Sequence, residues 1–240
     1  MAVAALAVAA AATADEATIR RVVEEKLGGG ARVEGVQPTP IAGLYEVHLQ
    51  SREGPQLVYT DENADHILLG TLYDAQRGRN LTEERMRRLT AIDFGALPID
   101  LAVKVQRGNG RRVLAVFSDP YCPACRQFEQ VLAQVDDITI YYFMYPVIRP
   151  ERVAHSQAVW CSPDRAKAWI ALAARAQPQV PSAKPDCETP VERVLELGRA
   201  LGINSTPTLF FTTGERVRGG LRAPDLVAQL DDASRRAKRK

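Results

Sequence analysis

Two cysteines that stand three positions apart, Cys122 and Cys125, limit what this chain can fold into more than any other feature. The run that precedes them, residues 113–117, has the length and the β-branched content of a buried strand. After the cysteines, apolar residues recur at helical spacing, at Phe128, Val131, Leu132 and Val135. The sequence therefore predicts a strand, a turn and a helix, with both cysteines at the start of the helix.

The start of a helix gives these two cysteines different chemistry. Cys122 is placed where unpaired backbone N–H groups and the positive end of the helix dipole favour an anion, so its thiolate is the predicted nucleophile. Cys125 lies one turn further on the same side and is more shielded, which suits a resolving thiol that attacks a mixed disulfide. Pro123 fits the first helical turn because its missing N–H costs little there. We therefore predict a redox-active dithiol.

Two other functions of a Cys-x-x-Cys pair are less favoured. Half of a zinc site normally needs a second ligand pair with similar local spacing, and the remaining cysteines, Cys161 and Cys187, are far apart in the chain. A structural disulfide within one helical turn would be strained and easily reduced. We interpret His48, His66 and His155 as structural residues, because none has metal-ligand spacing. The sequence thus predicts neither a metal nor another cofactor.

The N-terminal segment, residues 1–14, is a short alanine-rich apolar run that ends in Ala12-Thr13-Ala14. This pattern is typical of the hydrophobic part and the small-residue cleavage site of a secretory signal, although no basic segment precedes it. We expect export and removal of this segment, and an alanine-rich tail is the alternative. No later stretch reaches 18 apolar residues. The formal net charge of +2 gives no electrostatic reason to expect nucleic acid as a partner.

An exported protein retains its disulfides, and this chain has 4 cysteines, an even number. If Cys122 and Cys125 form the redox pair, Cys161 and Cys187 remain for a structural bridge around a Pro-rich loop. Loop-closure entropy predicts that such a bridge stabilises the fold by about 3 kcal/mol. A second redox pair is the alternative, although Cys161 and Cys187 lack a local Cys-x-x-Cys spacing.

The rest of the chain is predicted to form three parts. Residues 15–77 combine one amphipathic helix with short alternating strands, and a module this small is often stabilised by oligomerisation. Residues 78–97 contain a charged linker helix over 83–92 that opens at a capping box from Asn80 to Glu83, and we interpret its arginines as a solvated face. Residues 98–240 place strands and helices in the order βαβα…ββα around the cysteines. Pro207 directly precedes one of these strands.

These features together resemble the DsbC/DsbG family of periplasmic disulfide isomerases. The most specific marks are residues 117–128, the segment from Trp160 to Arg165 with Cys187 after it, and Thr206-Pro207. The resemblance covers nearly the whole chain after the signal. It implies an α+β N-terminal dimerisation domain, a linker helix and an α/β thioredoxin-like fold with a helical insertion, in a V-shaped homodimer.

The resemblance also implies a function. It assigns thiol:disulfide interchange on unfolded or misoxidised exported proteins in the periplasm, with Cys122 and Cys125 as catalytic residues and a DsbD-type membrane reductant as electron donor. Tyr121, Thr206 and Pro207 are expected to contact the substrate. A cis Thr206–Pro207 bond facing the cysteines would leave the Thr206 backbone free to pair with an extended substrate. A trans proline at the start of an edge strand is the alternative from sequence alone.

Two departures from the family pattern leave the type of activity open. The dipeptide Pro123-Ala124 differs from the Gly-Tyr of the best-known DsbC proteins, and its proline is more like that of DsbG. Val116 stands where thioredoxin has a buried aspartate, which fits an isomerase or oxidant better than a cytosolic reductant. The rival functions are therefore a DsbG-like reductase of oxidised single cysteines and a thiol-independent periplasmic chaperone.

Overall fold

The computed structural model describes residues 15–52, 54–174 and 187–237. The predicted signal, residues 1–14, lies outside these residues. Within the described residues the chain divides into two compact units, the first ending at Leu89 and the second beginning at Thr90. Among the helices that the structure describes, none is long and apolar enough to cross a membrane.

The described part of the first unit packs one helix against a four-stranded antiparallel sheet with the order β1-β2-β3-β4. Its elements are α1 (Glu16–Leu27), β1 (Arg32–Pro38), β2 (Leu44–Ser51), β3 (Gly54–Asp61), β4 (Ile67–Leu68), β5 (Tyr73–Asp74), β6 (Arg79–Asn80) and α2 (Leu81–Leu89). Helix α1 begins after Asp15, whose side chain accepts a hydrogen bond from the amide of Ala17, and it ends at Leu27, before the cap residue Gly28 with a φ of 58°. Its buried residues Ile19 and Val23 pack onto the sheet. The predicted amphipathic helix is therefore confirmed.

Helix α2 differs from its prediction at both ends and on one face. It begins at Leu81, with the Asn80 side chain accepting a hydrogen bond from the Glu83 amide, and it ends at Leu89 rather than at residue 92. Arg85 is not part of a solvated face, because its guanidinium pairs with Glu46 of β2 at 2.8 Å and its side chain is only 23% exposed. The helix lies beside the sheet of its own unit, and this contact shields the arginine from water.

The described part of the second unit is built on a five-stranded mixed sheet with the order β11-β10-β8-β9-β7. The strands are β7 (Val103–Arg107), β8 (Arg112–Ser118), β9 (Ile138–Met144), β10 (Thr208–Phe211) and β11 (Arg216–Arg218). The helices are α3 (Pro123–Leu132), α4 (Val153–Trp160), α5 (Arg165–Ala174), α6 (Val191–Ala200) and α7 (Ala223–Ala237). Strands β8 and β9 are parallel and the other neighbours are antiparallel. Helix α3 therefore forms the crossover between two parallel strands.

Helices cover both faces of this sheet, which explains why its central strands are continuous apolar runs. Successive residues of β8 point to opposite faces, so Leu114 and Val116 join the core under α3, α5 and α7. Ala115 and Phe117 join a second core that includes residues of α6. The ring of Phe117 stacks on that of Phe143 at 4.6 Å between centroids. The crossover thereby holds the start of α3 at the carboxyl end of β8.

Candidate active site

The turn between β8 and α3 carries both cysteines of the Cys-x-x-Cys motif. Cys122 is the N-cap residue of α3, Pro123 follows in the first turn, and Cys125 lies one turn inside. Both are free thiols, and they are 6% and 2% exposed. The Cys122 thiol donates a hydrogen bond to the carbonyl oxygen of Thr206 at 3.3 Å, and the Thr206–Pro207 bond is cis. The structure thus brings these sequence-predicted residues together at one end of the sheet.

The environment of Cys125 differs from that of a surface thiol. Burial raises the pKa of Cys125 to about 12, although hydrogen bonding from the Ser118 hydroxyl and the Asp119 backbone amide opposes the shift. Only a thiolate attacks a disulfide, and a thiol with this pKa is almost entirely protonated at neutral pH. Cys125 is therefore a poor nucleophile until a base removes its proton.

The loop that delivers Cys122 is fixed by the buried carboxylate of Asp119. This carboxylate accepts hydrogen bonds from the backbone amides of Tyr121 and Ile148, each at 2.7 Å. The amide of Tyr145 also donates to the carbonyl oxygen of Ser118 at 2.9 Å. These contacts tie the loop to the segment after β9, so the nucleophile is held in place by backbone hydrogen bonds.

Tyr121, the residue before the nucleophile, has partners that the sequence did not reveal. The residue is 8% exposed, and its hydroxyl forms a hydrogen bond with Nδ1 of His155 on α4. The guanidinium groups of Arg126 and Arg152 lie 5.7 and 5.1 Å from the ring centroid. His155, interpreted from the sequence as a structural residue, thus contacts the residue that precedes the nucleophile.

Glu129 is a second residue that sequence reasoning missed. It lies one turn beyond Cys125 on α3 and accepts a hydrogen bond from the Tyr142 hydroxyl at 2.8 Å. Burial raises the pKa of its carboxyl to about 7. A group that titrates near neutral pH therefore stands on the same helix as the two thiols. In sequence it resembled any polar residue of an amphipathic helix.

The other two cysteines lie apart from this constellation. A disulfide joins Cys161, at the end of α4, to Cys187, before α6, with a Cα–Cα distance of 5.9 Å. Much of the Pro-rich loop between them, residues 175–186, lies outside the described residues.

His66 pairs with the Asp61 carboxylate at 2.6 Å. In the part of the chain that the structure describes, no group of three His, Cys, Asp or Glu residues could hold a metal ion.

Comparison with known protein families finds one match in each unit. A disulfide bond isomerase protein N-terminal domain matches residues 10–83, and a thioredoxin-like domain matches residues 99–234. The second match alone covers more than half of the chain. The fold class expected from the sequence is therefore confirmed, including the thioredoxin-like fold of the second unit.

Individual relatives agree with the domain matches. A probable thiol:disulfide interchange protein DsbC of Bordetella parapertussis is 42% identical over 201 residues, which are 84% of this chain and 69% of the relative. The thiol:disulfide interchange protein DsbG of Pseudomonas aeruginosa is 30% identical over 228 residues, 88% of this chain and 86% of the relative. The crystal structure of a disulfide interchange protein from Neisseria gonorrhoeae is 37% identical, with a TM-score of 0.52 over 58% of this chain and 97% of that chain. The chain belongs to the DsbC/DsbG family of thiol:disulfide interchange proteins.

Proposed function

We propose that this protein isomerises, and also reduces, wrong disulfides in exported proteins, with Cys122 as the nucleophile and Cys125 as the resolving thiol. The observation that carries the proposal is the contrast between two thiols on one helix. Cys122 is the N-cap residue of α3, at the end of a helix that favours negative charge, and its thiol faces the Thr206 backbone. Cys125 is buried one turn inside, with a pKa of about 12.

The first step is attack of the Cys122 thiolate on one sulfur of a client disulfide. A new bond forms between Cys122 and that sulfur, the client disulfide breaks, and the second client sulfur leaves as a thiolate. In isomerisation, another client thiolate attacks the mixed disulfide and Cys122 is released unchanged. In reduction, Cys125 loses its proton and attacks Cys122, which releases the client and leaves a Cys122–Cys125 disulfide.

The high pKa of Cys125 favours isomerisation over immediate reduction. Because Cys125 is almost entirely protonated at neutral pH, it attacks the mixed disulfide slowly. The client therefore has time to rearrange and to supply the attacking thiolate itself. Reduction by Cys125 then serves as an escape from complexes that do not rearrange.

The client segment binds beside the cis Thr206–Pro207 bond. The Thr206 carbonyl oxygen lies 3.3 Å from the Cys122 sulfur, so an extended segment that pairs with this backbone brings its own sulfur to the nucleophile. This assigns Thr206 and Pro207 to substrate binding. Tyr121, the residue before the nucleophile, is likewise proposed to contact the substrate.

Two copies of the chain associate through their first units. Strand β4 is a two-residue edge strand, and apolar side chains in it and after it are exposed, with Leu68 53%, Leu69 70% and Tyr73 57% exposed. An edge strand with exposed apolar neighbours is suited to pairing with another strand. The match of this unit to a disulfide bond isomerase N-terminal domain supports the homodimer.

A reductant is needed because each turn of the reductive route oxidises the dithiol. Two electrons and two protons must then return to Cys122 and Cys125, and a DsbD-type membrane protein is the proposed donor.

The DsbC and DsbG relatives support a periplasmic location, to which the segment 1–14 would direct the chain. Residues 15–77 are the proposed dimerisation domain, 78–97 the linker and 98–240 the catalytic domain.

The decisive experiment is a scrambled-disulfide isomerisation assay with the wild type, Cys122→Ala and Cys125→Ala. We expect no isomerisation by Cys122→Ala and partial isomerisation by Cys125→Ala, since the client thiol resolves the mixed disulfide in its absence. Refolding of a cysteine-free client by Cys122→Ala tests the chaperone alternative. Isomerisation by Cys122→Ala at the wild-type rate would contradict the assignment of the nucleophile.

A further inference from the structure

Two guanidinium groups lie over the ring of Tyr121, which directly precedes the nucleophile. Arg126 comes from α3 and Arg152 from the short turn before α4, and they lie 5.7 and 5.1 Å from the ring centroid. Arg126 also donates through Nε to the carbonyl oxygen of Pro120 at 2.9 Å. The ring itself is buried and held by His155. Both cations are therefore held by cation–π contacts over the residue that directly precedes Cys122.

These two arginines lack the ion pairs that other arginines of the chain form. Arg85 and Arg112 each pair with a carboxylate at 2.8 Å, whereas Arg126 and Arg152 form no ion pair with any residue that the structure describes. Asp119 lies in the same loop, but its two oxygens accept backbone hydrogen bonds from Tyr121 and Ile148. Two half-buried positive charges therefore lie over the residue that precedes the nucleophile, without a carboxylate partner among the described residues.

We infer that Arg126 and Arg152, here called the arginine pair, select client segments that carry acidic residues next to the disulfide. This inference rests on the proposed function, because it requires that Cys122 attacks the client. A guanidinium binds a carboxylate through two parallel hydrogen bonds, and neither arginine has such a partner in the part of the chain that the structure describes. Complementary charge also raises the rate of encounter between the two proteins.

The arginine pair has a second effect that does not depend on the client. Positive charge close to the reacting sulfurs stabilises the anionic transition state of thiolate–disulfide exchange for every substrate. Removing the arginines therefore slows exchange with all clients to a similar degree. The ratio of rates between acidic and basic clients isolates selection from this general effect.

The test uses three peptides that differ only beside one cysteine, which is joined by a disulfide to a small chromophoric thiol. The cysteine is flanked by two glutamates, two glutamines or two lysines. The second-order rate constant for the reaction of the reduced full-length protein with each peptide is measured. It is divided by the rate constant with which a small uncharged thiol reacts with the same peptide. We expect the order glutamate, glutamine, lysine, with about a threefold to thirtyfold range at low salt. The range should shrink at high salt because the charges are screened.

Matched variants assign the preference to the arginine pair. The double variant Arg126→Gln, Arg152→Gln should react with the glutamate and lysine peptides at normalised rates whose ratio is close to one. Arg111→Gln with Arg235→Gln removes the same charge near the opposite end of β8 and should keep the wild-type ratio. Tyr121→Phe keeps the ring and should also keep the ratio, whereas Tyr121→Leu should lower it.

The outcomes separate this inference from the function on which it rests. Equal normalised rates for the three peptides, or an unchanged ratio in the Arg126→Gln, Arg152→Gln variant, would overturn the selection of acidic clients while leaving the interchange activity intact. Exchange by Cys122→Ala at the wild-type rate would instead show that the proposed nucleophile is wrong. Circular dichroism of each variant verifies that a lost preference does not reflect a lost fold.

Discussion

Cys122 and Cys125 occupy a single turn of α3, whereas Cys161 and Cys187 connect the end of α4 to the segment before α6. The first pair lies at the carboxyl end of a central strand, next to the Thr206 backbone and a buried loop carboxylate. The second pair lies outside the sheet and closes a chain segment of 26 positions. Both pairs can form the same covalent bond, yet their surroundings suit them to opposite functions.

The difference shows how the position of a cysteine in the fold determines its use. A helix start supplies amides that stabilise a thiolate, and a cysteine one turn further is buried and stays protonated. A bridge between distant segments instead restricts the unfolded chain and stabilises the fold.

Cys122→Ala should reduce thiol:disulfide exchange with a peptide disulfide by at least about a thousandfold, because the remaining thiol, Cys125, is buried and protonated. The measurement is the initial rate of peptide reduction at pH 7. Cys161→Ala with Cys187→Ala is the control and should retain the rate within about twofold. A small effect of Cys122→Ala would mean that the two pairs do not differ as described.

Removal of the Cys161–Cys187 bridge should lower the free energy of unfolding by about 3 kcal/mol, the loop-entropy value for a bridge of this span. Urea unfolding followed by tryptophan fluorescence measures this in the full chain, since both tryptophans lie in the second unit. Cys125→Ala removes a thiol but no crosslink and serves as the matched variant. If both variants lost equal stability, the bridge would not have the stabilising function assigned to it.

The release of a client by Cys125 should accelerate with pH. Because the pKa of Cys125 is about 12, its thiolate fraction rises about tenfold per pH unit between pH 6 and 8. Stopped-flow measurement of release from a Cys122 mixed disulfide should therefore show about a hundredfold change. The same complex in Cys125→Ala should be stable. A rate that levels off near neutral pH would show that Cys125 is deprotonated far more easily than its burial indicates.

Glu129→Gln should change how stability depends on pH. The pKa of Glu129 is raised in the folded protein from 4.5 to about 7, so the folded state binds more protons within this window. The free energy of unfolding should therefore fall as pH rises from about 4.5 to 7, by an amount on the order of 2 kcal/mol. Glu129→Gln should abolish this fall, whereas the exposed Glu192→Gln should not. Parallel pH profiles for wild type and Glu129→Gln would exclude this effect.

Local sequence patterns were sufficient to predict the strand, turn and helix that carry the dithiol. The buried run became β8, and α3 begins at Pro123 with Cys122 as its cap. The run after Pro207 became β10. Such elements are recognisable because their signals, apolar periodicity and proline placement, lie within a few residues of each other. Strand β7 was not predicted, since five residues at a sheet edge with two buried valines give only a weak alternating pattern.

The sequence by itself determined that this chain has two cysteines at a helix start, a thioredoxin-like order of elements and a small N-terminal module. Only the tertiary structure decided how deeply Cys125 is buried, that His155 and Arg152 meet Tyr121, and that Arg85 pairs with Glu46. Each of these contacts joins residues of different elements. The apolar packing that brings such elements together is non-directional, so no short pattern along the chain records which polar groups will meet.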